Sequence, residues 1–301
     1  MSRFLVTGAA GFIGQHLTRW LAGSGHEVVG ADRRPAPAGL PGRFVQGDLL
    51  DCDLDPLLDG VDYVVHLAGQ PGVRESWTQF PAYSRGNIEL TQRLLEALRG
   101  RPLRKFVLAS TSSVYGTAPM PAREDGPVQP VSPYGATKLA AESLCDLYGR
   151  TAGTPWLALR FFTVYGPGQR PDMAFTRWLT AAHTGAPVQI YGAGDQVRDF
   201  TYVGDAVAAV EAAALGPAQG MAINLGGGRP VAIREALKLI EQASGRRLRL
   251  VHLPPAPGDM AVTQADTTRL SQEVGVVPAT PLADGLTAQY QWICGGGGVH
   301  P

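Results

Sequence analysis

Three glycines spaced three residues apart follow the first apolar run of this chain, and they leave few folds open. Phe4-Leu5-Val6 leads into Thr7-Gly8-Ala9-Ala10-Gly11-Phe12-Ile13-Gly14, and Leu17, Trp20 and Leu21 continue at helical spacing. A short continuous apolar run reads as a buried parallel strand. The residues after the glycines read as a helix ending near Gly23 or Gly25. Glycine at that junction lets the backbone turn tightly and lets a phosphate reach the helix N-terminus, whose positive end favours it. Gly8, Gly11, Phe12, Ile13 and Gly14 are therefore candidate contacts to a dinucleotide pyrophosphate.

The pattern then repeats. Residues 27–31, 44–45, 63–66, 106–108 and 157–159 read as further strands, with long helices over 81–100 and 133–152. Alternating strands and helices predict an α/β fold with a doubly wound, Rossmann-type parallel sheet. Ligands bind such sheets at the carboxyl ends of the strands. Gly8, Asp32, His66 and Thr111 each follow a strand end, so they are expected on one edge. Past about residue 166 the texture changes. Short strands (188–190, 222–224, 248–251) mix with helices (172–184, 204–214, 233–243), and Gly and Pro breaks are frequent. The expected organisation is a dinucleotide-binding domain over 1–166, to which later segments also contribute. A smaller C-terminal substrate lobe covers 167–294, and the glycine-rich 295–301 reads as a flexible tail.

Composition removes other classes. Lys+Arg and Asp+Glu are equal at 26 each, and 17% of residues are charged, so nothing points to nucleic acid or a membrane surface. No apolar run reaches the roughly 20 residues a membrane span needs. The chain opens straight into its first motif without a signal-peptide pattern. Cys52, Cys145 and Cys294 fit no metal-ligand spacing and read as reduced thiols, so no metal is expected and a cytoplasmic location is.

Asp32 lies 18 residues after Gly14 and ends the second strand. A carboxylate there can accept bonds from the adenosine ribose and repel a 2′-phosphate, which favours NAD over NADP. Arg33 and Arg34 follow it and pull the other way. Asp48-Leu49, after the third strand, can contact the adenine. Tyr134 and Lys138 are four residues apart and share one helix face. A phenol near pKa 10 is a poor base, and an adjacent ammonium favours the phenolate. Thr111 offers a hydroxyl to the same substrate oxygen. Thr111, Tyr134 and Lys138 are thus the candidate catalytic residues, and Tyr134 and Lys138 also face the cofactor.

The chain resembles the extended short-chain dehydrogenase/reductase family, the nucleotide-sugar epimerases and dehydratases. The glycine loop, Asp48-Leu49, His66-Leu67-Ala68-Gly69, Asn87, Ala109 to Gly116, Ser132 to Lys138, Leu159 to Pro167 and Arg198 to Val203 carry the likeness, from residue 4 to about 265. The resemblance implies tightly held NAD, contacted also by Leu67, Ala68, Gly69 and Asn87, a UDP-sugar substrate and often a homodimer built on the two long helices. Arg198 matches the family's phosphate-contacting arginine. Asp259 is a candidate for the nucleotide ribose. His66 and His16 read as structural.

Within the family the chain is most similar to the UDP-glucuronic acid 4-epimerases, through Gln70-Pro71-Gly72-Val73-Arg74, Phe161 to Ala174 and the serine pair after Thr111. Dehydratases usually place Asp-Glu at Ser112-Ser113, decarboxylases a glutamate at Ser113, and UDP-galactose epimerases an asparagine at Thr163. Ser112, Ser113, Thr163 and Arg170 are the implied donors to a sugar carboxylate, with Arg74 nearby. Gly168-Gln169 departs from a common tryptophan-glycine pair, and Gly69-Gln70-Pro71 from an alanine-rich version. UDP-glucuronate is the favoured substrate. A neutral UDP-hexose epimerase, a dehydratase and a non-catalytic NAD-sensing regulator are the alternatives.

Overall fold

The computed structural model describes residues 1–254 and 260–297. The first half contains β1 (Arg3–Thr7), α1 (Phe12–Gly23), β2 (Glu27–Asp32), β3 (Arg43–Gln46), α2 (Asp55–Leu58) and β4 (Tyr63–His66). It continues through α3 (Phe80–Tyr83), α4 (Leu90–Leu98), β5 (Lys105–Thr111), α5 (Pro133–Ala152) and β6 (Trp156–Phe161). Then come β7 (Thr163–Tyr165), α6 (Ala174–Thr184), β8 (Val188–Tyr191), β9 (Val197–Tyr202) and α7 (Val203–Leu215). The last elements are β10 (Met221–Leu225), β11 (Pro230–Ala232), α8 (Ile233–Ser244), β12 (Leu250–Leu253) and α9 (Leu282–Trp292).

Seven strands form one parallel sheet in the order β10-β6-β5-β4-β1-β2-β3. This is the doubly wound Rossmann arrangement, and its order reverses at β1, between β4 and β2. Strand side chains alternate between two cores. Phe4 and Val6 face Leu17 and Leu21 of α1 and Ala206 and Val210 of α7. Leu5, Val64, Phe106 and Leu108 face Leu94 and Leu95 of α4 and Ala141 of α5. A third core, with Phe175, Leu179, Leu237, Ile240 and Leu286, joins α6, α8 and α9.

The strand near 222–224 forms as β10 but extends the large sheet beside β6. The expected helix over 81–100 is three pieces, because a π-helical segment, Ser84–Glu89, separates α3 from α4. The sequence reading missed β7, β9 and β11, which form a small separate sheet, and it missed α9. Gly285 disguises α9. It stands there because a Cβ would overlap the Tyr165 hydroxyl. Residues 293–297 continue from α9 as a turn that kinks at Gly296 (φ +86°), and the rest of the expected tail lies outside the described residues. No helix among the described residues is long and apolar enough to cross a membrane.

Candidate active site

The glycine loop owes its shape to close backbone approach. Gly8 has φ +70°, and a Cβ on it would come within 2.7 Å of the Ala68 amide. A Cβ on Gly14 would overlap the carbonyl oxygen of Gly8. Gly11 caps α1 with no side-chain hydrogen bond, which leaves the first-turn amides of Phe12, Ile13 and Gly14 without a side-chain cap. Uncapped amides at the switch point of the sheet can hold an anion. Asp32 is buried at the end of β2. It accepts bonds from the Ala10 amide (3.0 Å) and the Arg34 amide (2.9 Å). The Arg34 guanidinium folds back onto the same carboxylate at 3.4 Å. Asp48 turns the chain after β3 by accepting from the Leu50 amide, and Leu49 is buried beside it.

A directional chain of hydrogen bonds supports the loop after β4. Thr91 donates to the Asn87 carbonyl (2.7 Å), so its oxygen accepts from His66 Nε2 (3.1 Å). His66 Nδ1 is then left to accept from Thr7 (2.7 Å), whose oxygen accepts from the Ala68 amide (3.1 Å). Burial, reinforced by the nearby Lys138 charge, lowers His66 to about 3, so it stays neutral in this structural role. Asn87, on the π-helical segment, grips Gln70 through both its amide atoms (2.8 and 3.1 Å). Leu67 follows β4 with its amide bonded to Thr7 O. Gly69 is pressed between Asn87 and Lys138, with a Cβ there only 2.6 Å from Asn87 Oδ1.

Tyr134 enters on the first turn of α5. Ser132 caps that helix by accepting from the Gly135 amide (3.1 Å), and Pro133 stands at its start. A Cβ on Gly135 would come within 2.5 Å of Ser113 O, so glycine lets the helix start rest on the turn that ends β5. This brings Tyr134 to Thr111. Thr111 caps the turn carrying Ser112 and Ser113, accepting from the Ser113 amide at 3.2 Å. Burial raises the Tyr134 phenol, while its hydrogen bond with Thr111 and the Arg170 guanidinium oppose the rise. Lys138, one turn along α5 from Tyr134, donates to Ala109 O at 2.8 Å. Burial lowers Lys138 to about 8, against Cys145 and Glu142, which hold it up.

That depression has a testable sign. Below pH 8 the native state carries the full cost of a buried ammonium. Between pH 8 and 10.5 it sheds the proton before the unfolded chain does, so stability rises with pH. The shift corresponds to about 3 kcal/mol at most. In cofactor-free protein, Lys138→Met should raise the urea-unfolding free energy at pH 7, and this gain should vanish as the pH approaches 10.5. A constant difference across that range would contradict the assignment.

The second rim of the site is the segment after β7. Arg170 grips Asp172 with two bonds, Nε to Oδ1 (2.9 Å) and Nη2 to Oδ2 (2.7 Å). The loop beneath Arg170 is fixed from both sides. His16 of α1 bonds Pro167 O at 2.7 Å, and buried Gln169 joins Thr176 and Gln289 (3.1 Å each). Gln169 is one of the two residues, with Gly168, that depart from the common tryptophan-glycine pair, and this network is its use. Thr163, half-buried, opens β7. Arg198 lies on β9, with Nη1 donating to Val197 O. Arg74 stacks on the ring of Tyr191 in β8, 5.2 Å from its centroid. Asp259 lies outside the described residues. Tyr83, absent from the sequence reading, packs edge-on to Tyr134 at 6.2 Å and bonds Pro71 O at 2.8 Å. The described residues contain no group of three or more metal-ligating side chains.

Residues 4–226 match the NAD dependent epimerase/dehydratase family. The Bacillus subtilis protein described as "Uncharacterized UDP-glucose epimerase YtcB" is 42% identical, covering 97% of this chain and 98% of its own. The protein MoeE5, solved with NAD and UDP-glucuronic acid, has a TM-score of 0.93 and 44% identity, over 98% of this chain and all of its own. MoeE5 has also been solved with UDP-glucose and NAD. The UDP-glucuronic acid 4-epimerase of Bacillus cereus, in complex with UDP-glucuronic acid and NAD, has a TM-score of 0.92 and 40% identity, over 97% of this chain and 99% of its own. With three quarters of its length matched and near-complete coverage of such relatives, the chain belongs to the NAD dependent epimerase/dehydratase family.

Proposed function

We propose that the protein is a UDP-sugar 4-epimerase that interconverts UDP-glucuronate and UDP-galacturonate with bound NAD. The observation that carries the reading is Arg170, a guanidinium fork near the Tyr134 phenol whose geometry already suits a carboxylate. The Bacillus cereus and MoeE5 complexes support it, since both pair UDP-glucuronic acid with NAD.

The residues fit NAD. The uncapped α1 amides and the cradle of Gly8, Gly11 and Gly14 suit a pyrophosphate, and the fixed Asp32 carboxylate would repel a 2′-phosphate. Asp48 and Leu49 would flank the adenine. Lys138, with Leu67, Ala68, Gly69 and Asn87, would line the nicotinamide end. When bound, NAD supplies the acceptor and donor of hydride at C4 of the sugar, so the reaction has no net redox change.

Tyr134 takes the proton of the 4-hydroxyl and later returns one, and Thr111 bonds the same oxygen. A ketone at C4 stands β to the C6 carboxylate, which is lost if its bond to C5 aligns with the carbonyl π system. Ser112, Ser113, Thr163 and Arg170 hold the carboxylate out of that alignment. No carboxylate stands at residues 112 or 113 to drive elimination. Arg74 and Arg198 serve the rest of the UDP-sugar, with Asp259 on its ribose. In this reading residues 1–166 mainly hold the dinucleotide and 167–294 the sugar nucleotide.

The test is to incubate purified protein with a panel of UDP-sugars, separate the products and trap carbon dioxide. UDP-glucuronate should yield UDP-galacturonate without gas. Faster turnover of UDP-glucose, or carbon dioxide release, would overturn the substrate assignment. The second reading is a neutral UDP-hexose epimerase, favoured by the description of YtcB and by the UDP-glucose complex of MoeE5. We also read the outer faces of α4 and α5, where Leu147 is 43% exposed, as a homodimer contact. Sedimentation at twice 31.8 kDa would support it, and a monomer would oppose it. A cytoplasmic location is part of this reading, in line with three free thiols.

A further inference from the structure

Beneath the catalytic helix runs a buried polar chain that none of the roles above uses. Ser110, Arg160 and Asn224 stand opposite one another on β5, β6 and β10, at one level of the sheet. Thr111 is the next residue along β5. On α5, Glu142 follows Tyr134 and Lys138 at four-residue steps, so all three share one face. Glu142 and Arg160 are both buried, at 6% and 5% exposure. Arg160 holds the carboxylate with Nη2 to Oε2 (2.7 Å) and Nε to Oε1 (3.0 Å). Ser110 donates to the same carboxylate.

The chain continues across the sheet. Arg160 Nη1 donates to the Tyr115 hydroxyl (2.9 Å), and its guanidinium lies over that ring. Tyr115 donates to Asn224 Oδ1 (2.6 Å). Asn224 Nδ2 ends the chain on the carbonyls of Ala122 (2.9 Å) and Asp266 (3.1 Å). Tyr115 directly follows the turn that carries Ser112 and Ser113. The network therefore touches the supports of Thr111, Tyr134, Lys138 and the serine pair at once.

A buried ion pair of this kind adds little net stability, because well-packed apolar residues often do as well. What it adds is direction. Apolar contacts tolerate small slips of a helix across a sheet, whereas a bidentate pair with a third donor does not. We propose that the Glu142–Arg160 pair is a positioning unit of the active site, which ties the strand of Thr111 to the helix of Tyr134 and Lys138 and sets the gap across which the tyrosine exchanges its proton. The proposal rests on the epimerase reading of that site.

The test is the double variant Glu142→Leu/Arg160→Met in full-length, NAD-loaded protein, which removes both charges and leaves none buried alone. Its melting temperature should stay near that of the wild type. Its kcat should fall at least about 30-fold with KM within about threefold, because small displacements of reacting groups cost on the order of 100-fold. A second readout needs no substrate. With 3-fluorotyrosine incorporated, the fluorine resonance of residue 134, assigned by its loss in Tyr134→Phe, should shift in the double variant. Should the double variant not fold, Tyr115→Phe removes a single hydroxyl of the chain and should still lower kcat several-fold at constant KM. A folded variant with kcat within threefold of the wild type and an unmoved resonance overturns the proposal, as does a loss confined to KM. A wild type inert toward every UDP-sugar counts against the epimerase reading instead, and the fluorine resonance then still decides whether the tie exists.

Discussion

Tyr134→Phe lowers kcat by at least about 1000-fold, while the affinities for NAD and the UDP-sugar stay within about threefold. Proton transfer by a positioned side chain contributes typically 10²–10⁴-fold, and the neutral hydroxyl of Thr111 is too weak a base to take over that transfer. The substitution removes one oxygen and keeps the ring that packs edge-on to Tyr83, so the pocket walls persist. Burial holds the resting phenol protonated, and Thr111 and Arg170 pull the other way. Activity should therefore rise with pH until the phenolate is populated, and that rising limb should be missing from the residual activity of Tyr134→Phe. Equilibrium titration of NAD together with single-turnover product analysis checks both halves. Activity within tenfold of the wild type would remove Tyr134 as the base.

Local patterns made one half of this site legible and hid the other. The glycine loop, Asp32 and the Tyr134/Lys138 pair each sit within one strand–loop–helix unit, where spacing alone says which residues share an edge or face. The same holds for Thr111, one strand end away. Other features depend on residues far apart in the chain. Gln169 and Gln289 meet across 120 positions. Arg160 reaches Glu142 only because β6 lies beside β5 and α5 covers them both. Neither contact leaves a periodic signal. β9 escaped because its Arg198-Asp199 pair looks like a loop, yet Asp199 is fully buried and accepts from the amides of Ala265 and Gly228. The helix over 81–100 looked continuous because no proline interrupts it after Pro81, and the π-helical segment that sets Asn87 against Gln70 leaves no mark of its own in the sequence.

Arg170→Ala should separate acidic from neutral substrates. Its kcat/KM for UDP-glucuronate falls about 100-fold, whereas that for UDP-glucose changes less than about fivefold. The first figure follows from losing two charge-assisted hydrogen bonds at a half-buried site, each worth roughly 1.5–3 kcal/mol before solvent compensates part of the loss. The variant should also release carbon dioxide from UDP-glucuronate, because a carboxylate freed from the fork can swing into line with the C4 carbonyl. Equal losses on both sugars would mean that Arg170 serves the nucleotide or the fold instead. Asp172 sharpens the argument. Its carboxylate occupies the fork at 2.7 and 2.9 Å, and its own side chain is 63% exposed. A uronate can exchange with it carboxylate for carboxylate, while a neutral hexose has nothing to offer in return. An exposed pair of this kind contributes about 0.2–1 kcal/mol, so Asp172→Asn should tighten UDP-glucuronate binding up to about fivefold and leave UDP-glucose unchanged. Weaker uronate binding in that variant would show that Asp172 orients the guanidinium for the substrate and does not compete with it.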